Sequence, residues 1–166
     1  MKRITVTIIA LSAALLSTPA LARTWTFHGT ACQPVFPAGI VPVPDLGYSQ
    51  FGVHNNSTNP ATIECPLGTY SPLSGRTLLH AQMSVYDRST TADVACELRN
   101  VNSAGGIVRS FSAISQGGGP GTISQILDFE VEPGTPFLGF WVLHCTLPGS
   151  EGGALSHVTT TVLVTD

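Results

Sequence analysis

Three carboxylates occupy alternate positions in Asp128-Phe129-Glu130-Val131-Glu132. On an extended strand, alternate residues share a face and stand roughly 6 to 7 Å apart. Carboxylates at that separation suit glycoside hydrolysis, with one acting as acid and the other as base or nucleophile, or a calcium site. The same pattern also makes a solvated strand face whose negative charge discourages edge pairing, and that is the expectation here. Asp87 and Asp93 bracket a polar turn and are a second calcium candidate, although turns select Asp for local hydrogen bonding alone.

Other chemistry-bearing residues are scattered. Ser74 sits in Ser71-Pro72-Leu73-Ser74-Gly75, which lacks the Gly-x-Ser-x-Gly turn that raises a nucleophilic serine. None of His28, His54, His80, His144 and His157 has a metal-binding helix spacing. His144 is expected beside the disulfide of Cys145, and the others on polar strand faces. The even spacing of His28, His54 and His80 is not accompanied by any repeat in their flanking residues. The glycine loop at 117–121 lacks the Lys-Ser/Thr of a phosphate loop. Trp25, Trp141, Tyr48, Tyr70 and Tyr86 are the candidate rings for sugar stacking, with Trp141 assigned to the core. No catalytic residue, metal ligand or cofactor is assigned.

Positioning these residues falls to a framework of four cysteines, Cys32, Cys65, Cys96 and Cys145. Three of them begin a Cys-x-Leu unit: Cys65-Pro66-Leu67, Cys96-Glu97-Leu98 and Cys145-Thr146-Leu147. In a strand, such a unit turns cysteine and leucine to one face, which should be the core. No Cys-x-x-Cys pair points to zinc. In an oxidising compartment, two disulfides follow. Loop-closure entropy does not choose among the three pairings, since each closed loop contributes about 4 kcal/mol in that model. Cys32 with Cys65 and Cys96 with Cys145 is favoured, because it pairs sequence neighbours and ties the irregular N-terminal loop to the first clear strands.

That compartment is read from residues 1–22: Lys2 and Arg3, an apolar stretch through Ile8, Leu11 and Leu16, then Ala20-Leu21-Ala22 as a cleavage site. The expectation is a signal peptide at 1–22, a single domain at 23–166, a secreted or periplasmic location, and no membrane insertion after cleavage. The mature chain then carries five arginines, no lysine and ten acidic residues, a net charge of −5. This balance argues against a nucleic-acid partner.

Thr, Ser, Gly and Pro are abundant and charge is sparse, a composition suited to strands and turns rather than helices. Alternation marks strands at 24–30, 48–53, 61–67, 78–87, 94–98, 107–113, 122–132, 137–148 and 155–164. The most apolar of these, Phe137 to Pro148, puts Phe137, Trp141, Leu143, Cys145 and Leu147 on one face, and Phe140 and Val142 suggest cover on the other. Strands 48–53 with 61–67, and 78–87 with 94–98, read as two hairpins. The Pro- and Gly-rich segments 33–47 and 116–121 read as long loops. The predicted fold is all-β, an antiparallel sandwich of eight or nine strands, with a β-barrel as the alternative.

Ala31-Cys32-Gln33-Pro34, Cys65-Pro66-Leu67, Val85-Tyr86-Asp87, Cys96-Glu97-Leu98 and Cys145-Thr146-Leu147-Pro148 together resemble small exported bacterial proteins of myxobacterial and proteobacterial type with four cysteines in this arrangement. The resemblance implies a secreted, disulfide-bonded β-domain and carries over no catalytic residue. The functional expectation is a non-catalytic module presenting loops or an edge strand to a protein or glycan partner. The alternatives are a carbohydrate-binding module and a carboxylate-dependent hydrolase.

Overall fold

The computed structural model describes residues 22–35, 45–67, 76–121, 123–137 and 139–166. Twelve strands lie among them: β1 Arg23–His28, β2 Gln33–Pro34, β3 Leu46–Ser49, β4 Gly52–Asn55, β5 Ala61–Pro66, β6 Arg76–Tyr86, β7 Ala95–Val101, β8 Ile107–Ile114, β9 Gln125–Phe129, β10 Thr135–Phe137, β11 Phe140–Leu147 and β12 His157–Thr165. One turn of 3₁₀ helix, Gly29–Ala31, follows β1. No described helix is long and apolar enough to cross a membrane. The expected signal segment lies outside the described residues, apart from Ala22.

All pairings are antiparallel and form two separate sheets, so the molecule is a sandwich and not a closed barrel. The first sheet is built on β6 and β12, with β9 and β10 along the far side of β6, β1 and β4 along β12, and β3 beyond β4. The second runs β2-β5-β11-β7-β8. Strict inside-outside alternation in β5, β7 and β11 sends Ile63, Leu98, Trp141, Leu143 and Leu147 into the shared core, where each is wholly buried. Each such aliphatic side chain removed from water stabilises the fold by roughly 1.5–3 kcal/mol.

Each Cys-x-Leu unit faces the core: Leu67, Leu98 and Leu147 are fully buried beside their cysteines. The disulfides join Cys32 to Cys65 and Cys96 to Cys145. The first fastens the passage from β1 into the second sheet. The second joins directly opposed residues of β7 and β11, and Cys145 Sγ lies 4.0 Å from Met83 Sδ across the core.

Several expectations are corrected. The segment 48–53 is itself split by a turn at Gln50 and Phe51, so β3 pairs with β4, while β5 belongs to the other sheet. Likewise β6 and β7 lie in different sheets, and β7 pairs with β8. The turn-rich stretches after β4 and β6 are crossovers because buried polar side chains anchor them. Asn55 Nδ2 donates to the carbonyls of Asn59 and Pro148, and Asp87 gathers three donors of its own. Phe137 ends β10 in the first sheet, opposite Arg76, and the chain changes sheet before β11. β11 is central in its sheet, yet only one of its faces is buried, with Phe140, Val142 and His144 half-buried on the outer side.

Candidate functional site

Strand register builds a row of rings on the outer face of the first sheet. Gly47 of β3 faces His54 of β4, His54 faces His157 of β12, and His157 faces Tyr86 of β6. The two imidazoles have centroids 4.8 Å apart and are tilted by 55°. Tyr86 meets His157 edge-on at 6.1 Å. Gly47 makes room for this, since a Cβ there would fall 2.1 Å from His54 Nε2. The Arg88 guanidinium lies 5.8 Å from the Tyr86 ring centre, a cation–π arrangement. Phe51, 56% exposed at the β3–β4 turn, completes with Tyr86, Arg88 and His157 a cleft of about 210 Å³.

Each member is held from behind. The Phe51 amide donates to Ser49 Oγ, and His28 Nε2 donates to the carbonyl of Gln50 while its Nδ1 accepts from the Thr30 amide. Gly52 then turns with φ 107° beneath the carbonyl of Val158, where a Cβ would stand 1.9 Å from the oxygen. The Arg88 amide donates to Ser156 Oγ, whose hydroxyl donates to Asp87. Asp87 is wholly buried and also accepts from the Ser89 amide at 3.1 Å and the Ser115 hydroxyl at 2.5 Å. One carboxylate thus fixes the β6–β7, β8–β9 and β11–β12 crossovers and the backbone of Arg88 behind the cleft.

Burial pushes the His157 imidazole down to about 4, helped by the charges of His54 and Arg88 and opposed by a backbone hydrogen bond at Leu155. At neutral pH it is an uncharged flat ring. No described carboxylate pairs with Arg88, and its Nε is buried without a hydrogen-bond partner. The cleft can therefore stack a flat or C–H-rich ligand and offer it donors.

The residues singled out by sequence distribute otherwise. β9 ends at Phe129, where the Val131 amide turns back onto the Phe129 carbonyl, so Asp128, Glu130 and Glu132 do not share one strand face. Asp128 lies 3.6 Å from His80, and Glu132 pairs with Arg109 at 3.2 Å. Asp87 is saturated by hydroxyl and amide donors while Asp93 is exposed on the same loop, which removes the paired calcium reading. Among the described residues no group of three or more His, Cys, Asp or Glu is placed to hold a metal ion. Ser74 and Tyr70 lie outside the described residues. Trp141 is wholly buried, Trp25 is half-buried against the core, and Tyr48 donates its hydroxyl to the Cys32 carbonyl at 3.1 Å. Of the four candidate rings among the described residues, Tyr86 alone lines the cleft.

His144 points away from the disulfide, on the outer face of the second sheet. There it stands opposite Glu64 and Glu97 on the flanking strands, with Nδ1 3.9 Å from Glu64. Burial and the Arg99 charge lower its proton affinity, outweighing the two carboxylates. Glu97 is held below the usual carboxylate range by its hydrogen bond to Arg99, a 2.6 Å ion pair. A neutral imidazole beside a fully ionised, arginine-bound carboxylate offers no prepared proton donor for hydrolysis. The shallow groove beside it, about 400 Å³, has no aromatic ring among its described lining residues Gln33, Pro34, Val35, Glu64, Pro66 and Val142.

Tyr86 is a candidate ring in the sequence and His157 is expected on a polar strand face, but their adjacency requires the pairing of β6 with β12, which local sequence does not encode. Sequence alternation puts Phe51 in a strand, whereas it sits in the β3–β4 turn, and the polar turn bracketed by Asp87 and Asp93 gives no sign that Arg88 lines a cleft.

No family model and no curated protein matches the chain. Among solved structures, it is similar to one described as the structure of infectious bursal disease virus Gx strain, at 12% identity and a TM-score of 0.44, over 87% of this chain and 32% of that one. It is also similar to the family 11 carbohydrate-binding module of cellulosomal cellulase Lic26A-Cel5E of Clostridium thermocellum, at 8% identity and a TM-score of 0.35, over 89% of each chain. The chain thus spans about a third of the viral chain's length.

Proposed function

We propose that the protein is an exported, non-catalytic binding module that takes a saccharide in the cleft between Phe51, Tyr86, Arg88 and His157. The observation that carries this reading is the convergence of three flat side chains and one guanidinium on a single outer cleft. Sugar C–H faces pack on aromatic planes, while ring hydroxyls need donors and acceptors at the edges. About 210 Å³ falls below the roughly 300–1,000 Å³ of drug-sized pockets and suits one sugar ring or a chain end. Two disulfides and the buried Asp87 junction keep the platform stiff, which lowers the ordering cost of binding. Export rests on the signal-like residues 1–22 and on the two disulfides.

A glycan array probed with the mature protein tests the reading. Retention on a restricted set of sugars is expected, lost in Tyr86→Ala and Phe51→Ala and kept in His144→Ala on the opposite sheet. Absence of retention at millimolar sugar, or equal retention by the two cleft variants, would remove it.

A second reading, a protein partner, is favoured by β8. Among the described residues this edge strand pairs with β7 alone, and it exposes Ile107, Val108 and Ile114, each above 50%. Its backbone is open to strand addition. If that reading holds, a proline at Ser110 abolishes partner capture and leaves sugar retention untouched.

A further inference from the structure

We infer that the saccharide taken by the cleft is an acidic one, whose carboxylate is received by Arg88. The inference rests on the saccharide reading above and specifies the chemical class.

Three of the four other arginines of the mature chain are held within the protein, and the fourth, Arg23, is exposed at the start of β1. Arg99 is held by Glu97 at 2.6 Å, Arg109 by Glu132 at 3.2 Å, and Arg76 by the terminal Asp166 carbonyl. Arg88 is half-buried, stands over the Tyr86 ring, and has no described carboxylate within ion-pair distance. Its Nε is withdrawn from water without a hydrogen-bond acceptor. A guanidinium N–H withdrawn from water without an acceptor is unfavourable unless something supplies that acceptor.

The surroundings do not supply it. From β4 and β12 the facing groups are His54 and His157, from β6 it is Tyr86, and from the β3–β4 turn it is Phe51. Asp87 precedes Arg88 in the chain, but its carboxylate is turned into the loop junction and occupied by Ser89, Ser115 and Ser156. Glu151, on the neighbouring loop, is taken up by Ser89, Thr90 and Thr91. Arg88 is thus a cation with no ion-pair partner among the described residues, on a mature chain of net charge −5. Guanidinium presents a planar fork that matches a carboxylate, and it binds one most strongly where water is partly excluded. A uronic acid residue meets both demands, offering a C–H face for Tyr86 and Phe51 and a carboxylate for Arg88.

The test is calorimetric titration of the mature protein with trimers of galacturonic, glucuronic and mannuronic acid, each alongside its methyl ester, plus sodium acetate as a carboxylate without a ring. At least one acid trimer is expected to bind ten-fold or more tightly than its ester, with affinity falling as salt rises and acetate binding undetectable. Arg88→Gln should bring acid and ester to the same weak affinity, and Arg88→Lys should keep part of the difference. Unchanged melting temperatures would show that both variants are folded. Equal affinity for acid and ester, or an acid preference that survives Arg88→Gln, overturns the inference while the saccharide reading stands. If neutral array glycans are retained but no acid trimer binds, the inference alone falls; if no sugar of either class binds, both fall. Acetate binding as tightly as the trimers would place a bare carboxylate site at Arg88 and overturn the sugar class.

Discussion

His54 and His157 face each other directly across the β4–β12 pair, with ring centroids 4.8 Å apart. The His157 imidazole cannot take a proton without charging a partly buried row that already contains Arg88. His157 titrates at about 4 in the folded chain, against an ordinary value of 6.5. A base whose folded value is depressed leaves stability intact above the unfolded value and erodes it as pH falls from about 6.5 to about 4. Discounted for partial exposure, the loss is on the order of 1–2 kcal/mol. Urea midpoints at pH 7 and pH 4.5 should show this loss, and His157→Gln should flatten the difference. A variant with the same pH slope as wild type would place the titration elsewhere.

Two glycines behind the cleft should respond in opposite ways to alanine. At Gly47 the new methyl would meet the tip of His54, a side chain that can swing away, so the fold should lose under about 1 kcal/mol while sugar affinity drops several-fold. At Gly52 it would meet the Val158 carbonyl at 1.9 Å, with φ already at 107°, and neither backbone can yield. Gly52→Ala should cost about 2–4 kcal/mol. Thermal melts of the two variants check the order, and a Gly47→Ala melt as low as that of Gly52→Ala would contradict it.

The contrast between these glycines shows what the sequence could and could not convey. The buried faces were legible because side-chain direction in a strand has a period of two, so Cys65/Leu67, Cys96/Leu98 and Trp141/Leu143 were assignable residue by residue. Which strands are neighbours was not legible. Asn55 and Asp87 read as ordinary turn residues, whereas each is buried and anchors a passage between sheets, so two expected hairpins became crossovers. The cleft inherits that blindness, since Tyr86 and His157 lie far apart in the chain and meet only through the β6–β12 register. The carboxylates of 128–132 misled for a local reason: the chain leaves the extended state at Glu130, ending the alternation that would have aligned them.

Glu151 should behave as a clamp on the 89–91 loop. Its carboxylate accepts from Ser89 Oγ at 2.7 Å, the Thr90 amide at 2.9 Å, Thr90 Oγ1 at 2.8 Å and Thr91 Oγ1. Led by the Thr91 hydroxyl, these donors hold its proton affinity down to about 2. Its contribution is therefore present above the ordinary carboxylate value of 4.5 and disappears as pH falls toward 2. Glu151→Gln keeps one acceptor oxygen and loses the charge, so exchange of the Thr90 amide should speed up by roughly ten-fold at pH 7 while β11 amides stay protected. Unchanged Thr90 protection would show that the loop is held by other contacts.

Asp87 makes the strongest stability prediction, because nothing else described ties the three crossovers together at one atom pair. Its Oδ1 takes the Ser89 amide and the Ser156 hydroxyl, and its Oδ2 takes the Ser115 hydroxyl, which itself receives the Val94 amide. Asp87→Ala leaves these donors buried and unpaired at a cost of about 3–5 kcal/mol. Asp87→Asn preserves the shape but replaces one acceptor with a donor facing hydroxyls that can rotate, so about half that loss is expected. Because Ser156 also receives the Arg88 amide, the damage should reach the cleft: Asp87→Asn should weaken sugar binding while Trp141 in the core keeps its fluorescence maximum. Chemical denaturation followed by titration of the folded fraction separates the two effects. An Asp87→Asn variant that loses stability but binds sugar as wild type would uncouple the loop junction from the cleft.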